Sequence, residues 1–220
     1  MTDGALATRL DLVDETVTVG AHRFVLAKPR QADALISEED FARDERLPYW
    51  AELWPSALVL AAQVARAPIV ARSIELGCGL ALPSLVTRAR GGAVTATDYY
   101  DDALLLAARN ADRNGIGALE TALVDWNAIP ATLGRYDRIL AADVLYERRY
   151  GPLVAGAIDR LLAPSGCAWL TDPGRVGREP FMQAAAACEL RVTVLDAPPV
   201  ELTQGGAVTL YELRRAGADR

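Results

Sequence analysis

The chain is short of the residues that carry most acid–base and metal chemistry. It has one histidine, His22, and three cysteines, Cys78, Cys167 and Cys188, widely spaced and without a C-x-x-C pair. A lone His far in sequence from the glycine-rich turn argues against a His base or a multi-His metal site, and no metal is expected. The cysteine spacing argues against a zinc site or a disulfide framework and fits a reducing, cytoplasmic compartment. No Lys/Arg-rich run stands out, and 23 Lys+Arg against 29 Asp+Glu leave a net charge of −6. A nucleic-acid partner, which usually needs a basic stripe, is therefore disfavoured, and a basic substrate suits the surface better. No apolar run is long enough to span a membrane, and the N-terminus carries no signal-peptide pattern. Aromatics are also sparse, at 6%, so a local concentration of them is informative.

What is present is a large apolar fraction, 51% of 220 residues, enough for one domain or one domain with a short extension. The stretch Ser73-Ile74-Glu75-Leu76-Gly77-Cys78-Gly79-Leu80-Ala81-Leu82-Pro83-Ser84 reads as a buried strand, a glycine turn and a helix start. Ile69, Val70, Ile74 and Leu76 supply the apolar run of the strand. Gly77 and Gly79 open backbone angles closed to other residues and let a ligand approach the chain. A Gly-x-Gly turn alone also serves merely to turn a strand into a helix. Two acids raise the functional reading: Glu75, just before the turn, and Asp98, which ends the next strand-like run and suits a ribose hydroxyl. Leu82 stands where a dinucleotide fingerprint has its third glycine, so a nucleoside ligand other than nicotinamide dinucleotide is expected.

Taken in order, residues 1–9 read as a loose terminus, and partly alternating apolar residues on either side of Gly20 predict a β-hairpin. Residues 30–47 are acidic, with Glu38, Glu39, Asp40, Asp44 and Glu45 crowded together. They read as a solvated helical connector, or as a flank that attracts a cationic substrate. Tyr49, Trp50 and Trp54 then fall within six residues; they are either core or the wall of a binding site. Pro55 opens a helix to Ala65. Helices are expected over 83–90, 101–114, 153–162 and 179–190, the third stopped by Pro164 and Gly166. Strands are expected over 93–98, 119–124, 136–142, 167–171, 191–195 and 207–213. The alternation predicts an α/β fold: a Rossmann-like, doubly wound, seven-stranded, mostly parallel sheet with an antiparallel edge strand and an N-terminal β-hairpin extension. Residues 1–47 form the hairpin and acidic connector, and 48–220 the main domain.

Four successive strands end in an acid: Glu75, Asp98, Asp125 and Asp143. In a doubly wound sheet these ends share one rim. Neighbouring carboxylates repel, so the row implies work for each, in hydrogen bonds to hydroxyls, an amine or a cation. The set Glu75-x-Gly77-x-Gly79, Asp98, Asp125-Trp126 and Asp143-Val144-Leu145-Tyr146, with Leu53-Trp54-Pro55-Ser56 before it, resembles the seven-β-strand (class I) S-adenosylmethionine-dependent methyltransferases. It is similar more narrowly to the branch holding the protein-lysine methyltransferases and the bacterial proteins labelled predicted nicotinamide N-methyltransferases. The resemblance covers roughly residues 48–215.

That resemblance implies S-adenosylmethionine as cofactor. Gly77 and Gly79 would pass its methionine part, with Glu75 ordering the loop or meeting the amino group. Asp98 would take the ribose hydroxyls and Asp125 the adenine amino group, with Trp126 packed on the ring. Trp54 would line the cofactor pocket. Asp143 and Tyr146 would border the point of methyl transfer, with Asp143 receiving a cationic amine and Tyr146 fixing its direction, while Tyr49 and Trp50 shape the acceptor channel. Catalysis would rest on holding donor and acceptor in line, which needs no histidine. Val144 and Leu145 replace the prolines of the branches that methylate amino-adenine or glutamine, so an aliphatic amine or small heteroaromatic is the better acceptor. The expected acceptor is a lysine of a protein partner; the alternatives are a small nicotinamide-like amine, or a non-catalytic module that binds cofactor or partner only.

Overall fold

The computed structural model describes residues 3–35, 48–200 and 206–217. The acidic stretch at 38–45 lies outside the described residues. Along the chain run α1 (Asp3–Leu10), β1 (Leu12–Val19), β2 (His22–Pro29), α2 (Pro55–Arg66), β3 (Ser73–Leu76), α3 (Leu82–Ala89), β4 (Val94–Asp98), α4 (Asp101–Arg113) and β5 (Glu120–Leu123). Then follow β6 (Tyr136–Ala142), α5 (Tyr150–Leu161), β7 (Leu162–Asp172), α6 (Arg178–Ala187), β8 (Leu190–Leu195) and β9 (Thr209–Arg215).

Seven strands form one sheet in the order β5-β4-β3-β6-β7-β9-β8. The pairs from β5 to β7 are parallel, and β9 runs antiparallel to both β7 and β8. The expected antiparallel edge is therefore a hairpin-like pair, with the last strand slotted inside β8. Period-two alternation sorts the strand residues between two faces. Ile74, Leu76, Ile139, Ala141 and Leu170 join the core under α5 and α6, which bring Val154, Ile158 and Phe181. Leu140, Trp169 and Ala96 face the other way, toward Leu60, Leu85 and Leu104 of α2, α3 and α4. Glu75 sits between Ile74 and Leu76, so alternation turns it toward α3.

The hairpin β1–β2 is a separate two-stranded sheet. Phe24 and Leu26 join the core beneath α2 and α4. Asn110 and Asn114 of α4 each clasp one residue of β2. Asn110 accepts the Ala27 N–H at 2.8 Å and donates to its carbonyl at 3.2 Å; Asn114 does the same for Val25 at 2.9 and 3.0 Å.

Three expectations are corrected. Residues 3–10 are helical, because Leu6 and Leu10, four residues apart, bury one face against Ala27, Trp50 and Leu80. Ile69 and Val70 precede the strand, and Ile69 is 52% exposed. Pro164 and Gly166 lie within β7 rather than in a helix-ending loop: its pairing steps from Tyr136–Leu162 to Arg138–Cys167, so residues 163–166 arch out opposite a single β6 residue.

Candidate functional site

One cavity opens at the carboxyl ends of the parallel strands. Its lining includes every residue singled out from the motifs: Trp54, Glu75, Gly77, Gly79, Asp98, Asp125, Trp126, Asp143 and Tyr146. The sheet order puts their acids along the rim as Asp125, Asp98, Glu75 and Asp143.

The glycine turn forms the floor. Gly77 and Gly79 have φ of +63° and +50°, and a Cβ at Gly79 would stand 3.0 Å from the Trp50 carbonyl oxygen. At Gly77 it would press on Val144 and on Trp126, at 3.2 and 3.3 Å. These positions need glycine for both angle and space. Asp98 pins the turn, accepting the Gly79 N–H at 2.9 Å and the Tyr100 N–H at 3.1 Å. Burial pushes its carboxyl up despite those bonds. Glu75 is deeper. The Ser84 N–H at 2.9 Å and the Ser84 hydroxyl both donate to it, which ties the strand to the first turn of α3. Burial, reinforced by Asp98, pushes Glu75 up to about 8 against the Ser84 bonds. Cys78, between the glycines, is buried and its thiol is pushed well up by burial, which keeps it unreactive. At the outer end Asp125 accepts from the Asn127 N–H and amide, both at 2.9 Å.

The opposite end is aromatic. Tyr49 meets Tyr146 edge-on at 4.9 Å, Tyr146 meets Tyr150 at 4.9 Å, and Tyr150 meets Trp126 at 5.6 Å. Burial, then Tyr150, pushes the Tyr146 hydroxyl far up, so it stays a neutral donor. Trp54 is the extended residue before α2; its indole N–H donates to the Tyr49 carbonyl at 2.8 Å. Trp50 separates from Tyr49. It is buried beside Tyr100, 6.3 Å away, within the cluster under α1, so its ring serves the core while its backbone backs the glycine turn.

Asp143 has a partner that the motifs do not reveal. Arg175 donates from Nε to Oδ1 at 2.7 Å and from Nη2 to Oδ2 at 3.2 Å, and the Ser56 hydroxyl reaches Oδ2 at 3.3 Å. The expectation that Asp143 receives a cationic amine did not include this partner: both of its oxygens accept from Arg175, and its side chain is 5% exposed. Arg175 comes from the turn after β7. Asp172, a fifth strand-end acid, accepts the N–H groups of Gly174 at 2.9 Å and Arg175 at 3.1 Å, shaping that turn. Asp143 itself holds φ of +58°, a left-handed angle rare outside glycine, fixed by its N–H bond to the Thr171 carbonyl at 2.9 Å. Among the described residues no group of three or more His, Cys, Asp or Glu is placed to hold a metal ion, and no helix is long and apolar enough to cross a membrane.

Residues 74–170 match the family model described as "Methyltransferase domain". The chain is 32% identical over 149 residues to the EEF1A lysine methyltransferase 3 of Mus musculus, an alignment covering 63% of this chain and 62% of that protein. It thus spans less than two thirds of that relative's length. Among solved structures it is similar in fold to a TehB-like SAM-dependent methyltransferase from Corynebacterium glutamicum, with TM-score 0.57, 15% identity and coverage of 81% of this chain and 94% of the other. A 16S rRNA methyltransferase of T. Thermophilus, in complex with AdoMet and guanosine, superposes with TM-score 0.58 at 17% identity, over 94% of this chain and 46% of the other. At these identities the structural likeness establishes the fold: a Rossmann-like sheet of the methyltransferase kind.

Proposed function

We propose that this protein is a class I S-adenosylmethionine-dependent methyltransferase acting on an amine nitrogen, most readily the side chain of a protein lysine. The observation that carries the reading is the convergence on one cavity of the Gly77–Gly79 turn, the acids Glu75, Asp98 and Asp125, and the Asp143-x-x-Tyr146 turn. The match of residues 74–170 to a methyltransferase-domain model supports the reaction class, and the similarity to the mouse EEF1A lysine methyltransferase supports lysine as acceptor. Residues 48–220 would carry the reaction, with 1–47 as an N-terminal extension whose β1–β2 hairpin packs on it.

The residues fit the cofactor chemically. Asp98 keeps lone pairs for ribose hydroxyls after accepting from Gly79 and Tyr100, and one Asp125 oxygen remains for an adenine amino group. Trp126, lying over Gly77, offers a ring to the purine, and the glycines leave room for the methionine part. Glu75 holds the turn in place through Ser84. When bound, S-adenosylmethionine supplies a methyl group already activated by a positively charged sulfur. The protein's own task is then alignment: Trp54, Asp143 and Tyr146 border the transfer end, and the Tyr49 and Tyr146 rings face the charge that develops on the acceptor nitrogen. The free thiols Cys78, Cys167 and Cys188 support a cytoplasmic placement.

The aromatic wall of Tyr49, Trp54 and Tyr146 also favours a second reading, a small amine enclosed at that end. Calorimetric titration with S-adenosylmethionine, then radiolabelled methyl transfer into lysate with mass spectrometry, separates the cases. Label on lysine supports the first reading and label only in small molecules the second. No binding at millimolar cofactor removes both.

A further inference from the structure

We infer that Arg175 is a specificity-determining residue that makes the transfer end of the cavity accept its amine uncharged and turn away the protonated form. The inference rests on the methyltransferase reading above.

It is argued from the charges on the rim. At the transfer end Asp143 is held bidentately by Arg175. The neighbouring Asp172 faces Arg178 as well as the N–H groups of Gly174 and Arg175. The Tyr49 and Tyr146 rings lie alongside, 4.9 Å apart, and the Ser56 hydroxyl also donates to Asp143 Oδ2. An arriving ammonium group would have to displace Arg175 from a carboxylate that is 5% exposed, or sit beside the guanidinium with no carboxylate of its own; either is unfavourable. A neutral amine meets neither obstacle. Arg175 also holds its position without help from a ligand. Its guanidinium lies 5.3 Å from the Trp54 ring, and the turn carrying it is locked because Gly177 packs against the Leu145 and Glu147 carbonyls, 2.6 Å from where a Cβ would stand. The turns of Asp143–Tyr146 and of Arg175 therefore move as one piece.

The reaction needs the amine in this form. Its lone pair makes the N–CH3 bond as the S–CH3 bond breaks onto sulfur, and the cationic N-methyl product then gives its extra proton to water. The acceptor loses its first proton before it reaches the rim, and the same guanidinium disfavours retention of the methylammonium product.

The test compares n-butylammonium with uncharged n-butanol at pH 7, both titrated into protein saturated with S-adenosylhomocysteine and followed through the Trp54 indole N–H resonance. Wild type is expected to bind n-butanol more tightly, by about tenfold. R175Q is expected to invert the preference, and R175K, which keeps the charge, to restore it. A wild type that prefers the ammonium, a preference unmoved in R175Q, or neither probe reaching Trp54 overturns the inference. The wild-type arm stands alone if R175Q fails to fold. Failure to bind S-adenosylhomocysteine at all, read by calorimetry, would instead remove the methyltransferase reading and this inference with it.

Discussion

The two ends of the cavity hold similar acids in opposite electrical settings. Glu75, Asp98 and Asp125 accept from N–H groups and, at Glu75, a hydroxyl. Asp143 is satisfied by a guanidinium. A guanidinium offsets a carboxylate's charge and neutral donors do not, although Glu75, pushed up to about 8 by burial, carries no charge at neutral pH. On the proposed reading, one end would take the polyhydroxylated, positively charged cofactor and the other an uncharged nucleophile. The same residue type on neighbouring strands does two jobs, and the partners supplied by the loops decide which.

Three substitutions sharpen that contrast. The largest effect on cofactor binding is expected from Asp98→Ala, which removes acceptors for the ligand and the anchor of the Gly79 turn. Affinity for S-adenosylmethionine should fall by about 1–3 kcal/mol, read by calorimetry; unchanged affinity would place the ribose elsewhere. Asp143→Ala should act at the other end. Turnover should fall by roughly tenfold or more while the cofactor Kd stays within about threefold. A Kd loss as large as that of Asp98→Ala would merge the two ends into one. The third effect is on stability. Glu75 in the folded chain lies at about 8, above the ordinary carboxyl value. Between about pH 4.5 and about 8 the folded chain holds a proton that the unfolded chain has lost, so wild-type stability declines as pH rises through that window. Glu75→Gln, which keeps a neutral group beside Ser84, should flatten this slope in urea midpoints measured against pH. An unchanged slope would mean that Glu75 is ionised, like an ordinary rim acid.

The convergence of Gly77, Gly79, Glu75 and Asp98 on one cavity was legible in the sequence because these parts are local. Gly77, Gly79 and Glu75 lie within one strand-turn-helix unit, and Asp98 ends the next strand. Period-two alternation and the glycine and proline breaks also gave the seven strands and the hairpin. The partner of Asp143 was not legible. Arg175 is 32 residues away in sequence, and only the pairing of β6 with β7 brings their ends together. The Asp172-Pro173-Gly174 turn was the available signal, a fifth acid at a strand end. Tyr49 and Trp50 could not be told apart for a related reason. They are adjacent in sequence, but the short helical turn at Tyr49–Ala51 sends one ring to Tyr146 and buries the other beside Tyr100. Residues 3–10 were passed over because a helix of eight residues is marginal alone and forms on the surface it covers.

The two asparagines on α4 have a consequence beyond fastening the hairpin. A two-stranded ribbon leaves one side of each strand without a neighbour, and such a side can recruit an extended segment from another molecule. Asn110 and Asn114, one helical turn apart, present amides to Ala27 and Val25 at the spacing a third strand would offer. The outer edge of β2 is thereby closed to newcomers by a helix acting as a counterfeit strand. Replacing both amides with alanine would expose matched donors and acceptors along β2 and open a route to fibrillar self-association, with the cavity itself left intact.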